Sequence, residues 1–219
     1  MSADGKIATR AYDLLALGTA TDRRWMSVLR ARADAVVVGG RTFRNWPLPL
    51  VPDAADLAAL RAEGFPDCEH PPIEGRTWWN VVVTRGLDVP RTGRYWSDPR
   101  VKPLFLTTTP GEVPRGEVEV HDAITVSRIL DALRRRGCER VLVEAGGDLI
   151  YQFLAADAVD ELYLTICPLV VGGAGAPSPV DGPGFAASDL RRLRLEAAHR
   201  HGDELYCRYA VPRRAAVSG

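Results

Sequence analysis

The run Val141-Leu-Val-Glu-Ala-Gly-Gly-Asp-Leu-Ile-Tyr-Gln-Phe-Leu154 constrains the fold more than any other stretch. Its first three residues, short, apolar and rich in β-branching, read as a buried strand. Glu144 closes that strand, and Gly146-Gly147 supplies a tight turn. Leu149, Ile150, Phe153 and Leu154 then recur at helical spacing. Such a turn presents bare backbone N–H groups at a helix N-terminus, where the macrodipole favours an anion such as a phosphate-bearing ligand. A βα turn that needs glycine only for sharpness looks the same, because a glycine pair alone is a weak signal.

Upstream, Asp4-Gly5 is a turn signal, with Lys6 just after it. Thr21 or Asp22 caps an expected helix through Ala33, with Trp25, Val28 and Leu29 on one face. Ala35-Val-Val-Val-Gly-Gly40 is too short for a helix and reads as a buried, parallel strand. Pro52-Asp53 starts a short helix to about Glu63, and a Pro-rich loop follows over 65–77. Strands are expected at 79–84, 103–107 and 118–120. Thr125 caps a further helix, whose last turn carries Arg134 to Arg136 as a solvated, dipole-favoured end. Asp160 to Ile166 reads as a strand, Pro168 to Phe185 as a long Gly/Pro loop, and 193–198 with 205–211 as an antiparallel hairpin. Strands alternating with helices, then a hairpin, imply one α/β domain over 1–219 with a mixed, mostly parallel sheet and a frayed tail over 212–219.

Charge excludes little but points away from polyanions. The 28 basic and 28 acidic residues cancel, so neither nucleic acid nor an anionic membrane is an expected partner. Cys68, Cys138, Cys167 and Cys207 are scattered and do not cluster with His70, His121, His199 or His201, so no metal site is expected and free thiols in a reducing cytoplasm are. No apolar run reaches membrane-spanning length, and the N-terminus lacks a signal-peptide core, so the expectation is a cytoplasmic protein.

Several motifs in order carry a family resemblance: Ser2-Ala-Asp-Gly-Lys-Ile-Ala8, Leu29-Arg-Ala-x-Ala-Asp-Ala-Val-Val-Val-Gly39, Thr42, Val143-Glu-Ala-Gly-Gly147, Val159-Asp-Glu-Leu162 and the glycine-rich stretch Pro168 to Phe185. Together they resemble the pyrimidine reductases of riboflavin biosynthesis, from Ser2 to about Val211. That resemblance implies a dihydrofolate-reductase-like fold, NADPH as cofactor, a homodimer, and a small-molecule heterocyclic substrate. It also implies hydride delivery to C1′ of a ring-opened phosphoribosylaminopyrimidine. The protein then has mainly to orient the two reactants and exclude water.

Residue by residue, the resemblance sets the cofactor loop on Gly146, Gly147, Asp148, Leu149 and Ile150, with Gly40, Thr42 and Thr84 on the cofactor side. Glu144 corresponds to a substrate-contacting glutamate, Lys6 to a lysine assisting opening of the ribose ring, and Arg30 to a substrate-side arginine able to hold a phosphate. Arg41, or Arg85 after the next strand, is the candidate for the 2′-phosphate that separates NADPH from NADH. Gly147 is expected to lie bare where the pyrophosphate approaches.

Three departures from the family stand out. Its members carry a β-strand before the Ser-x-Asp-Gly-Lys motif, whereas this chain starts within that motif; a later start or other residues filling the gap would account for it. After Thr42, an acidic pair is replaced by Asn45-Trp46 and a later arginine is absent, which makes the substrate side drier and less suited to an anion. The His-x-Glu and Pro-Cys-x-x-Cys signature of the zinc deaminases is missing, so a reductase alone is expected. A dihydrofolate reductase using Asp22 against a pterin, and a catalytically silent NADPH-binding homodimer, are the alternatives.

Overall fold

The computed structural model describes residues 1–12 and 17–214. Residues 23–145 make one compact unit, and 1–22 with 146–219 make a second. Helix α1 (Ala20–Arg32) leads into the first unit. There β1 (Ala35–Gly39), β2 (Trp78–Thr84), β3 (Val101–Thr107), β4 (Glu117–Val120) and β5 (Val141–Val143) form a parallel sheet in the order β4-β3-β2-β1-β5. The connections carry α2 (Gly40–Asn45), α3 (Ala54–Ala62), α4 (Arg94–Ser97) and α5 (Val126–Arg134).

Burial explains the apolar run at β1. A parallel strand covered on both faces has no solvent side on which to place polar residues, and Ala35 to Val38 are all buried. Phe43, Trp78, Tyr95 and Phe105 fill one face, Phe43 meeting Tyr95 edge-on at 4.6 Å. Buried Asn80 acts as a substitute strand: its side chain accepts from Leu50 N at 2.8 Å and donates to Leu50 O at 3.1 Å, fixing the segment after Trp46.

Helix ends follow their caps. Asp53 accepts from Ala55 N and Asp56 N, and Thr125 from Arg128 N, as the sequence indicates. At α1 the hydroxyl that accepts from Thr21 N belongs to Thr19, so the cap lies earlier than Thr21 or Asp22. At the end of α5, Arg134 pairs with Asp131, Arg135 with Glu119, and Arg136 with Glu117 and Glu119.

In the second unit, α6 (Gly147–Ala155) precedes β6 (Glu161–Ile166), β7 (Arg194–His201) and β8 (Glu204–Ala210), which form an antiparallel sheet in the order β6-β8-β7. The α/β class and the terminal hairpin are as expected. The parallel and antiparallel strands, however, are hydrogen-bonded as two separate sheets rather than one mixed sheet. β5 and β6 are each an end strand of their own sheet. The strand that the resemblance sets before Ser2 has no counterpart among the described residues. Met1 and Ser2 instead lie along the end of β6: Ser2 bridges Cys167, and Cys167 N donates to Met1 O at 2.7 Å.

Part of the expected tail, 215–219, lies outside the described residues. Among the described residues no helix is long and apolar enough to cross a membrane, and no group of His, Cys, Asp or Glu is arranged to hold a metal.

Candidate functional site

Strand order locates a switch point in the parallel sheet. From β1 the chain moves outward through β2, β3 and β4, then returns to the other side of β1 as β5. The direction of winding therefore reverses between β1 and β5. In open α/β sheets, ligands settle outside the carboxyl ends of the strands at such a switch point. Here those ends carry Gly39-Gly40 and Glu144.

The two glycines at the end of β1 and the start of α2 differ in kind. Gly40 is packed: a Cβ there would lie 2.4 Å from Thr84 Oγ1. Gly39 has ordinary φ of −78° and nothing within 4 Å of a Cβ position, so neither backbone conformation nor internal packing demands glycine. Thr84 is buried and donates to Gly86 O at 2.9 Å, while Arg44 approaches its oxygen at 3.4 Å and Asp88 at 3.5 Å. Thr42 is half-buried at the start of α2, and its carbonyl accepts from Trp46 N. Arg41, Asn45 and Trp46 are exposed. Arg85 is exposed too, and its carbonyl accepts from Thr107, Thr108 and Thr109.

Glu144 continues the β5 ladder, since its N–H donates to Val37 O at 2.9 Å. Its carboxylate accepts from Arg30 Nε at 2.8 Å and Arg30 Nη2 at 2.7 Å. The side chains are only 20% and 13% exposed. Burial disfavours the Arg30 charge, but the carboxylate beside it outweighs that and raises the guanidinium above its ordinary value.

In the second unit, Gly146 caps α6 with φ −70° and no side-chain hydrogen bond. Leu149 N and Ile150 N donate to Gly146 O at 3.1 and 3.3 Å, so within the first turn the amides of Gly147 and Asp148 are the ones without an intrahelical acceptor. Nothing lies within 4 Å of a Cβ position at Gly146. Gly147 is packed against its own unit. A Cβ there would meet Ser178 O at 2.5 Å and Asp181 N at 2.6 Å, so the residue is bare because its own glycine-rich loop covers it. Leu149 is buried and Ile150 half-buried, and the N–H of each is spent on Gly146 O. Asp148 is exposed in the first turn, where a carboxylate suits the helix dipole.

Lys6 belongs to a zipped corner. Asp4 accepts from Ser2 Oγ at 2.6 Å, Val171 N at 3.0 Å and Gly172 N at 2.7 Å. Those bonds, the Ser2 hydroxyl first, pull its carboxyl down to about 2. Ala3 N donates to Leu169 O and Ile7 N to Pro177 O, and Lys6 Nζ donates to Ala176 O at 3.2 Å. Asp4 escaped the sequence reading, which saw only a turn; a Ser two residues before an Asp-Gly was the available sign of a local side-chain network.

A parallel sheet whose winding reverses between β1 and β5 defines a protein of the open α/β class. The chain belongs to the RibD C-terminal domain family, whose model matches residues 1–206. A relative from Archaeoglobus fulgidus, named 2,5-diamino-6-ribosylamino-4(3H)-pyrimidinone 5′-phosphate reductase, is 30% identical over 92% of this chain and 90% of its own length. The riboflavin biosynthesis protein RibD of Synechocystis is also 30% identical, and the chain spans about half of that protein, 48% of its length. Among solved structures, the fold is shared with a pyrimidine reductase-like protein of Corynebacterium diphtheriae at a TM-score of 0.71, 22% identity and coverage of 98% and 90% of the two chains. RibD of Acinetobacter baumannii superposes at a TM-score of 0.75 with 18% identity, covering 97% of this chain and 56% of that one.

Proposed function

We propose that the chain is an NADPH-dependent pyrimidine reductase, reducing C1′ of a diaminopyrimidine ribosylamino 5′-phosphate. The observation that carries this reading is Gly146, a glycine that neither backbone strain nor internal packing requires. It caps α6, and a helix N-terminus favours an anion. Family membership and the name of the Archaeoglobus relative support the substrate class.

NADPH, when bound, supplies a hydride that adds to C1′ as the C=N π bond breaks and the nitrogen takes a proton. The chain's own residues bind and orient. The amides at Gly147 and Asp148 meet a pyrophosphate, and Gly146 leaves room for it to approach. Gly40 and Thr84 shape the backbone beside Thr42, and Arg41 or Arg85 faces the 2′-phosphate. Glu144 accepts N–H groups of the pyrimidine, with Asn45 and Trp46 on the substrate side. Lys6 has three donors, one of them spent on Ala176 O, so its ammonium retains capacity to donate to the ribose ring oxygen as that ring opens. In this reading the enzyme works as a cytoplasmic homodimer.

The test is NADPH oxidation followed at 340 nm with the diaminopyrimidine ribosyl phosphate, and separately with dihydrofolate in the presence and absence of methotrexate. Turnover of the first alone is expected. Methotrexate-sensitive turnover of dihydrofolate alone would overturn the assignment.

A further inference from the structure

We propose that Asp4 is a positioning residue for Lys6: its carboxylate fixes both the Lys6 backbone and the turn whose Ala176 carbonyl receives the ammonium. The inference rests on the reading that Lys6 donates to the ribose ring oxygen, and it adds the residue that aims that donor.

A lysine does not point by itself. Its ammonium rides on a flexible four-carbon stem, so holding it in one place takes an acceptor, here Ala176 O at 3.2 Å. That acceptor lies in a turn with little order of its own. Gly172 and Gly173 adopt φ of +72° and +83°, which glycine permits, but glycine also loses the most freedom when it is fixed. Ala176 N donates to Gly173 O at 3.1 Å and closes the turn, so the Ala176 carbonyl goes where Gly173 goes.

Asp4 holds this turn at its entrance. One carboxylate oxygen accepts from Val171 N and the other from Gly172 N, the two amides directly before Gly173. The oxygen that meets Val171 also accepts from Ser2 Oγ at 2.6 Å, and that hydroxyl accepts in turn from Lys6 N at 2.8 Å. A single carboxylate thus sets the origin of the lysine side chain and the acceptor at its tip, through charge-assisted bonds, which are the stronger kind. The rest of the loop has fastenings of its own. Ser178 N and Oγ donate to Asp181, and Tyr151 OH donates to Gly184 O. Freeing the turn over 171–176 therefore leaves in place the part that covers Gly147.

The experiment uses the full chain, with kcat measured on the diaminopyrimidine ribosyl phosphate and NADPH affinity by isothermal titration. The wild type is compared with Asp4→Asn, Ser2→Ala, Lys6→Ala and the double variants Asp4→Asn/Lys6→Ala and Ser2→Ala/Lys6→Ala. Asparagine keeps the shape but offers one acceptor oxygen where three donors converge. Asp4→Asn is expected to lower kcat about tenfold or more, the scale of a small misplacement of a reacting group, with NADPH affinity unchanged. Ser2→Ala, which breaks only the link to the Lys6 backbone, lowers kcat by a smaller factor. With Lys6 already replaced by alanine, adding Asp4→Asn changes kcat by no more than about twofold, as for residues that act as a unit.

An unchanged kcat in Asp4→Asn, or a loss of NADPH affinity that matches the loss of rate, would overturn the proposal. Should Asp4→Asn not fold, the same cycle run with Ser2→Ala decides. A wild type that turns over no pyrimidine, or a Lys6→Ala chain as fast as the wild type, overturns the reading of Lys6 and this assignment with it. A slow Lys6→Ala chain that Asp4→Asn slows further by its full factor overturns this assignment alone, since a role confined to stability multiplies the two losses.

Discussion

Gly146 and Gly147 look equivalent in the sequence, and the structure gives them opposite duties. The motif was legible, as was its place between a strand and a helix. The direction in which an absent Cβ would point was not, because that depends on where the loop around Ser178 and Asp181 folds back. The two residues therefore respond differently to the same substitution. A Cβ at Gly146 has nothing within 4 Å and the backbone there, at φ −70°, is allowed for valine, so the melting temperature of Gly146→Val stays near that of the wild type. Its branched side chain fills the approach to the helix amides, so NADPH affinity falls about tenfold or more, equivalent to about 1.4 kcal/mol. Gly147→Val drives a side chain into backbone atoms and destabilises the fold by about 1–3 kcal/mol. Isothermal titration and thermal melts of the two variants check both outcomes; unchanged NADPH affinity in Gly146→Val would remove the cofactor from this turn.

Elements were recovered where a period was long enough to count. α1, α3, α5, α6 and the hairpin were visible from spacing and caps, whereas α2 and α4, at six and four residues, are too short to show a helical stripe. The Pro168 to Phe185 loop was visible as a glycine-rich stretch, but not what fastens it. Asp4 does so, through two loop amides, and its ionisation sets when. Because the folded carboxyl lies at about 2, below the ordinary value of 3.8, its contribution is fully present above the ordinary value and is lost as pH falls through about 2. The amide resonances of Val171 and Gly172 should therefore titrate together with a midpoint near 2 in the wild type. In Asp4→Asn that titration disappears and both amides gain exchange with solvent. A midpoint at the ordinary carboxylate value would show that the clamp is not formed in solution.

For the molecule as a whole, strands are written in local pattern, but strand partners are not. The expectation of one mixed sheet came from counting strands in order. The separation into β4-β3-β2-β1-β5 and β6-β8-β7 depends on long-range pairing that no local window contains. The switch point between β1 and β5 is a property of that pairing, so the residues at its mouth became interpretable only once the order was known. Whether the molecule binds NADPH is a question about binding equilibrium, separate from turnover. A ligand that binds only the folded chain stabilises it by mass action, by about 2.7 kcal/mol at a hundredfold excess over Kd. For a chain of this size that corresponds to a rise of about 5–10 °C in melting temperature. NADPH is expected to produce that rise, NADH a smaller one if Arg41 or Arg85 meets the 2′-phosphate, and Gly146→Val to abolish both. The same rise without turnover of any pyrimidine would describe a silent NADPH-binding protein, and no rise at millimolar NADPH would leave the fold without its cofactor.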